Sequence, residues 1–213
     1  MVTINEIFYS VQGESTYAGR PCVFVRLMAC DLRCAWCDTP YAFHEGAKRP
    51  LEDVLAAVDH FDCPLVEVTG GEPLLQEAVY PLMQGLLDRG KTVLLETGGH
   101  RSTARVPAPV VTILDVKCPG SGEAAHMDWT NLDRLRPHDE VKFVIADRTD
   151  YEYARDVIGH HGLARRAAAI HLSPVHGVLD PKTLSGWVLA DHLSVRVQLQ
   201  LHKFIWSPDT RGV

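Results

Sequence analysis

The sequence lacks the features that mark membrane, secreted and nucleic-acid-binding proteins. It contains no run of about 18 apolar residues, which a membrane-spanning helix needs. The first residues, MVTINEIFYSVQGES, have neither the basic nor the apolar region of a signal peptide. Acidic residues (27) outnumber basic ones (21) and the formal net charge is −6, whereas proteins that bind nucleic acid or anionic membranes are usually basic. We therefore expect a cytoplasmic protein that binds neither.

The chain also lacks internal repeats and low-complexity linkers. Its 213 residues are 46% hydrophobic and 23% charged, which is the composition of a globular protein. Domains usually contain about 50–250 residues. The sequence therefore predicts a single domain over residues 1–213.

Short runs rich in valine, isoleucine and leucine predict strands that are covered on both faces. They lie at residues 22–28, 64–69, 91–96, 109–116, 140–145, 167–172 and 194–200. Between them, apolar residues at helical spacing predict helices at 51–60, 74–89 and 181–192. Strands that alternate with helices indicate an α/β fold with a mainly parallel sheet.

The length of the chain bears on whether such a sheet closes into a full barrel. A complete eight-stranded barrel typically needs about 250 residues. Here an insertion at 29–50 uses part of the chain, and the connection at 97–108 is too short for a good helix. We therefore predict an incomplete TIM-like barrel of about six mainly parallel strands, with its functional loops at the carboxyl ends of the strands.

Half of the six cysteines lie close together, and the sequence contains no second CxxC or HxxxH pair. Cys30, Cys34 and Cys37 follow the first predicted main strand, in a loop that we place at 29–40. Disulfides belong mainly to secreted proteins, so this cluster indicates metal or redox chemistry. A zinc site would need a fourth ligand, such as Cys22, Cys63 or a histidine, and structural zinc sites usually pair their ligands. We therefore favour an iron–sulfur cluster on three thiolates, which leaves one iron of a [4Fe-4S] cube open.

The spacing CxxxCxxC, with Trp36 directly before the third cysteine, resembles the radical S-adenosylmethionine (SAM) superfamily. A second element supports this resemblance: residues 69–73 read Thr-Gly-Gly-Glu-Pro directly after a predicted strand. In the superfamily, this element holds the amino group of SAM, and glycine lets the backbone approach a ligand closely. The resemblance implies a radical SAM core fold.

The flanking segments resemble one family within this superfamily, the 7-carboxy-7-deazaguanine synthases. The matching segments are QGE at 12–14, GRP at 19–21, FVR at 24–26, CDT at 37–39, ETGG at 96–99, DVKCPGSG at 115–122 and QLHKFIW at 200–206. The chain departs from the family where Ser15 and Ala29 replace common glycines and Asp31 replaces an asparagine. These departures affect loop geometry and remove no ligand.

The resemblance implies a lyase of queuosine and deazapurine biosynthesis. A 5′-deoxyadenosyl radical made from SAM removes hydrogen from carbon 6 of 6-carboxy-5,6,7,8-tetrahydropterin, the ring contracts and ammonia leaves as 7-carboxy-7-deazaguanine forms. SAM is regenerated, and Mg²⁺ takes part. The family also implies an electron donor such as flavodoxin or ferredoxin, and a homodimer.

The resemblance assigns site residues by position. The cluster ligands are Cys30, Cys34 and Cys37, and the magnesium ligand is Thr39. The substrate residues are Val11, Gln12, Gly13, Glu14, Arg26, Thr97 and Val213. The SAM residues are Trp36, Cys37, Asp38, Gly70, Gly71, Glu72, Gly99, Asp115, Val116, Lys117, Ser173, Pro174, Val175 and His176.

Two of these assignments also have a physical reason in the sequence. The planar guanidinium of Arg26 suits the carboxylate of a carboxylated pterin. The tail from Trp206 to Val213 follows the last predicted strand, so we expect it to cross the mouth of the pocket. The sequence assigns no role to His202 and Lys203, and we interpret Cys22, Cys63 and Cys118 as core thiols.

Two other interpretations remain open at this point. A glycyl-radical activating enzyme shares the cysteine motif, but it must bind a large protein loop and does not need the QGE and FVR segments. A non-enzymatic zinc or redox module would bind metal without SAM chemistry.

Overall fold

The computed structural model describes residues 1–208 and 210–213. Its strands are β1 (Val2–Val11), β2 (Pro21–Leu27), β3 (Ala47–Arg49), β4 (Leu65–Gly70), β5 (Thr92–Thr97), β6 (Val111–Asp115), β7 (Glu140–Ile145), β8 (Ala169–Pro174) and β9 (Arg196–Val197). Its α-helices are α1 (Leu51–Asp59), α2 (Val79–Asp88), α3 (Thr130–Asp133), α4 (Arg148–His160), α5 (Pro181–Ala190) and α6 (His202–Ile205). None of the helices in the described part of the chain has the length and apolar character needed to cross a bilayer.

All the described strands belong to one sheet in the order β3-β1-β2-β4-β5-β6-β7-β8-β9. Each neighbouring pair from β2 to β9 is parallel. Strand β1 pairs antiparallel with β2, and β3 pairs antiparallel with β1. The predicted α/β class with a mainly parallel, incomplete barrel is confirmed, with an antiparallel edge added to it.

The structure corrects several element bounds. Strand β1 was not predicted, because its sequence mixes polar and apolar residues and most of it is only half-buried. Helix α4 was not predicted either, since its polar sequence RTDYEYARDVIGH obscures a narrow buried stripe. Helix α2 begins at Val79 rather than at 74, because the backbone of Gln76 is extended and its side chain bonds to the main chain of Thr3 and Met28.

The hydrophobic core lies between the outer face of the sheet and the helices. One cluster of buried side chains joins β1, β2, β4 and β5 to α1 and α2, and a second joins β6, β7 and β8 to α4 and α5. In β4, Val66 and Val68 belong to this core, whereas the alternate residues Glu67 and Thr69 line a cavity on the other face. The strands therefore present apolar side chains to the helices and polar ones to the inside of the barrel.

We expect Leu82→Ala to destabilise the protein, since Leu82 on α2 is fully buried in the core. Truncation of a buried leucine costs about 2–5 kcal/mol. Gln84→Ala changes the exposed face of the same helix and should alter stability by less than about 0.5 kcal/mol. Urea unfolding of both variants tests this, and equal midpoints would contradict the placement of α2.

Candidate active site

A cavity of about 300 Å³ opens at the carboxyl ends of the parallel strands. Its wall includes the three clustered cysteines at one side and a group of charged side chains from β2, β4, β5 and β7 at the other. This is the end of the sheet at which open α/β folds bind their ligands. The loops that the sequence predicts to be functional therefore meet in one place.

Hydrogen bonds from the main chain on both sides of Cys34 fix the cluster loop. The N–H of Arg33 donates to Glu123 Oε1 (2.6 Å), and the N–H of Ala35 donates to the carbonyl of Ser121 (3.0 Å). Within this loop, Cys30, Cys34 and Cys37 are partly buried free thiols. The bonds on either side of Cys34 thus hold the cluster loop against the segment that contains Ser121 and Glu123.

The donor set fits an iron–sulfur cluster better than a zinc ion. Iron–sulfur clusters are held by cysteine thiolates, and Cys30, Cys34 and Cys37 all line the same cavity. The proposed fourth zinc ligands, Cys22 and Cys63, lie in the core near the amino ends of β2 and β4. That is the end of the sheet opposite the cluster loop.

The turn after β4 packs directly against the cluster loop. Gly70 has a φ of 156°, and the N–H groups of Gly71 and Glu72 donate to the carbonyls of Leu27 (3.2 Å) and Ala29 (2.8 Å). A Cβ on Gly71 would overlap the Ala29 carbonyl and lie 2.7 Å from the Cβ of Cys30. Only glycine allows this close approach of the turn to the first cysteine.

The carboxylate of Glu72 accepts hydrogen bonds from neighbouring groups of the protein. It is fully buried and accepts hydrogen bonds from the N–H of Leu74 (2.9 Å), the hydroxyl of Thr97 (2.9 Å) and the N–H of Gly98 (2.8 Å). The side chain therefore joins the turn after β4 to the end of β5. Gly70 and Gly71 are only partly buried, whereas Glu72 is buried. The main chain of the two glycines is therefore more accessible from the cavity than the Glu72 carboxylate is.

Asp31 joins the cluster loop to the loop after β5. Its carboxylate contacts His100 Nε2 at 2.6 Å and pairs with Arg101. At this position, where the family has asparagine, the aspartate is therefore accompanied by an arginine and a histidine. These partners follow Gly98 and Gly99, so Asp31 fixes the cluster loop beside the end of β5.

The inner end of the cavity contains a buried charge network around Lys142. Its ammonium contacts Glu14 at 2.6 Å and Glu96 at 2.5 Å, and the Gln200 amide donates to Glu14 (2.9 Å). Burial alone would raise the pKa of Glu14, but Lys142 and Gln200 lower it to about 2. Burial beside Glu96 raises the pKa of Glu67 well above its ordinary value. The environment therefore favours the ionised form of Glu14 and the protonated form of Glu67.

Arg26 lies in the wall between these two ends. Its Nε donates to Glu6 Oε1 (2.8 Å), which also accepts from the Tyr41 hydroxyl (3.0 Å). Among the described residues, no acceptor bonds to the two terminal amino groups of Arg26. The bond from Nε to Glu6 thus orients the guanidinium, and its two terminal amino groups face the cavity.

The described residues of the tail border the mouth of the cavity. Pro208 and residues 210–213 line it. Arg211 pairs with Glu45 at 2.8 Å and stacks 3.7 Å from the centre of the Tyr41 ring. Nearby, Lys203 pairs with Asp38 at 3.2 Å. The tail and α6 therefore close one side of the cavity.

The structure brings most of the predicted site residues to the cavity wall. Those that line it are Val11, Gln12, Gly13, Glu14, Arg26, Cys30, Cys34, Trp36, Cys37, Asp38, Thr39, Gly70, Gly71, Glu72, Thr97, Asp115, Lys117, Val175, His176 and Val213. Those that do not line it, because they are buried behind it, are Gly99, Val116, Ser173 and Pro174.

Several cavity residues were missed by sequence reasoning. They are Glu67, Glu96, Lys142 and Gln200, and also His202 and Lys203, to which the sequence assigned no role. A signal was present in the strands: Glu67, Glu96 and Lys142 are charged residues inside otherwise apolar runs. A charge in a buried strand must be paired or functional.

We expect Gly71→Ala to destabilise the cluster loop, because the new methyl group would collide with Ala29 and Cys30. Overpacking of this kind costs about 1–3 kcal/mol. Gly186→Ala is the control, since a Cβ there has nothing within 4 Å. Thermal unfolding of the cluster-free proteins separates the two variants. A melting temperature of Gly71→Ala at or above that of the parent would show that the loop does not pack as described.

Comparisons with known proteins agree with this geometry. Residues 26–117 match the model of the radical SAM superfamily. The 7-carboxy-7-deazaguanine synthase of Koribacter versatilis is 51% identical over 99% of this chain and 99% of its own, and that of Chlorobaculum tepidum is 46% identical over 100% and 97%.

Solved structures show the same fold at lower identity. QueE from Escherichia coli has a TM-score of 0.78 at 23% identity and covers 93% of each chain. SuiB from Streptococcus suis, bound to SAM, has a TM-score of 0.56 at 12% identity over 81% of this chain and 44% of its own. Because relatives that match almost end to end at 46% and 51% identity are 7-carboxy-7-deazaguanine synthases, the chain belongs to that family of the radical SAM superfamily.

Proposed function

We propose that this chain converts 6-carboxy-5,6,7,8-tetrahydropterin to 7-carboxy-7-deazaguanine with loss of ammonia. One observation carries the proposal: a single cavity is lined both by the three clustered cysteines and by a set of charged groups suited to a small anionic heterocycle. Membership of the family implies SAM and a [4Fe-4S] cluster. A bound cluster and SAM together supply a carbon radical that removes a hydrogen atom from the substrate.

The residues at the cysteine end would hold the cofactors. Cys30, Cys34 and Cys37 would bind the cluster, and the open main chain of Gly70 and Gly71 would face SAM. The other SAM contacts proposed from the cavity wall are Trp36, Asp38, Asp115, Lys117, Val175 and His176. Lys117 pairs with Asp115 at 2.7 Å, so each of these side chains orients the other.

The charged network would bind and orient the pterin. Arg26 supplies its two terminal amino groups, which bond to no acceptor among the described residues, for the carboxylate. Glu14 and Glu96 supply acceptors for the amino-pyrimidine edge. Lys142 holds these two acceptors in place through contacts of 2.6 Å and 2.5 Å. Glu67, whose pKa is raised by burial, supplies a carboxyl group at the inner end of the cavity that is able to hold a proton. Substrate would therefore meet fixed donors and acceptors instead of mobile side chains.

Magnesium forms part of the proposal through Thr39. Its side chain lines the cavity next to Asp38, and Mg²⁺ takes oxygen ligands together with water and substrate oxygens. The proposal also includes a flavodoxin or ferredoxin as electron donor, a homodimer and a cytoplasmic location, which accompany the family resemblance.

The proposed reaction is tested by an anaerobic assay with SAM, a low-potential reductant and the carboxypterin. We expect 7-carboxy-7-deazaguanine and ammonia in equal amounts, with no net loss of SAM. Reductive cleavage of SAM with unchanged pterin would retain the superfamily chemistry but contradict the proposed substrate.

We predict that Cys30→Ala, Cys34→Ala and Cys37→Ala each abolish the cluster and SAM cleavage, because three thiolates are the minimum set for the site. Cys63→Ala removes a core thiol near the opposite end of the sheet and should retain the cluster. Iron content and visible absorption measure both. Retention of iron by Cys34→Ala together with its loss from Cys63→Ala would refute the ligand assignment.

We predict that Arg26→Lys weakens pterin binding far more than it slows SAM cleavage in the absence of substrate. Lysine keeps the charge but loses the planar fork, and a hydrogen-bonded charged pair contributes about 1.5–3 kcal/mol. Arg105→Lys, in an exposed pair with Glu77, is the matched control. If both activities of Arg26→Lys fell in parallel, Arg26 would instead support the fold or the cluster loop.

A further inference from the structure

The β1–β2 loop, residues 12–20, carries Gln12 and Glu14 into the cavity but receives little support from its own strands. Its base is closed by two main-chain bonds between Gln12 and residues 19 and 20, each 2.8 Å long. Local bonds join Glu14 to the Gln12 side chain and Ser15 to residues 17 and 18. The long-range hydrogen bonds of residues 13–16 come from the far side of the barrel, more than a hundred positions later in the sequence. The position of these residues is therefore decided by distant anchors.

One anchor is a buried carboxylate at the start of β7. Glu140 accepts a hydrogen bond from the N–H of Thr16 (3.0 Å), and it also bonds to the Thr16 hydroxyl. Glu140 is 1% exposed, and the Nε2 of His171 on β8 lies 2.6 Å from its Oε2, the oxygen that also accepts from the Thr16 N–H. His171 is itself fully buried, and its Nδ1 has no partner among the described residues. The carboxylate thus links the loop to two adjacent strands.

A second anchor holds the residue before Thr16. The side-chain amide of Gln198 accepts from the N–H of Ser15 (3.0 Å) and donates to its carbonyl (2.8 Å). Ser15 has a φ of 63°, a left-handed conformation that is sterically unfavourable for residues other than glycine. Such a conformation persists only where its surroundings over-determine it. The hydrogen bonds to Ser15 and Thr16 hold Ser15 in this conformation.

We propose that Thr16, Glu140 and His171 form a positioning triad that sets the geometry of the substrate loop. None of the three lines the cavity, so they act through Gln12 and Glu14 and do not touch the substrate. The triad fixes the main chain two residues after Glu14, and Glu14 then meets Lys142 and Gln200 within 2.9 Å. The identity of the substrate in this inference rests on the proposed function, whereas the anchoring of the loop is independent of it.

Thr16→Val tests the triad with the smallest change, since it keeps the shape of the side chain and removes only the hydroxyl that bonds to Glu140. We expect KM for the carboxypterin to rise about ten- to a hundredfold, because a displacement of about 1 Å in a positioning group has effects of this size. SAM cleavage without substrate and iron content should stay within about twofold of the parent. Thr16→Ser retains the hydroxyl and should restore KM.

Thr183→Val is the matched control, because Thr183 is an exposed residue on α5. A second measurement needs neither substrate nor cofactor: amide hydrogen exchange of the peptide that covers residues 12–20. Exchange should accelerate in Thr16→Val and in Glu140→Gln but not in Thr16→Ser or Thr183→Val.

The outcomes separate the two proposals. If the parent enzyme does not convert the pterin but exchange changes as expected, the proposed function is wrong and the anchoring stands. Unchanged exchange and unchanged KM in Thr16→Val would overturn the triad. So would an equal defect in Thr16→Ser, or a parallel loss of substrate-free SAM cleavage, since either result would indicate general packing.

Discussion

The buried ammonium of Lys142 is the constraint on which the arrangement of the site depends. A lysine inside a barrel must be paired, because an isolated buried charge costs several kcal/mol or more. Glu14 and Glu96 provide that pairing from the β1–β2 loop and from β5. Burial and the nearby Glu96 raise the pKa of Glu67, whereas Lys142 acts to lower it. Lys142 therefore favours the ionised form of Glu14, and burial favours the protonated form of Glu67.

The opposite end of the cavity depends on close packing more than on charge. Gly70 and Gly71 allow the turn after β4 to pack against the first cysteine, and the buried carboxylate of Glu72 ties that turn to the end of β5. Asp31 connects the cluster loop to the same region through His100. The cysteine end and the charged end are thus built by different interactions, and Arg26 lies between them. A substitution at one end is expected to leave the other largely intact.

The two departures from family glycines fall at left-handed backbone positions. Ser15 has a φ of 63° and Ala29 a φ of 78°, where glycine fits without steric cost. In both cases the surrounding bonds hold the strained residue: Gln198 holds Ser15, and the N–H of Ala29 donates to the carbonyl of Ala42 (2.8 Å). Left-handed backbone is therefore held at both positions although neither residue is glycine. Strain at such positions is typical of functional loops.

The sequence by itself determined the fold class, the cysteine motif, the glycine turn and the family, because each is encoded by local spacing or by an apolar run. It also placed Arg26 and Glu14 in the site through matching segments. Only the tertiary structure showed that Glu67, Glu96 and Lys142 meet, since their interaction joins three strands that are distant in the chain. The same holds for β1 and α4, which are polar enough to escape the hydrophobic pattern, and for Thr16 and Glu140, which are 124 positions apart. Local sequence patterns specify the helices and strands. Which side chains pair with a buried charge depends instead on how the curved sheet brings distant strands together around one cavity.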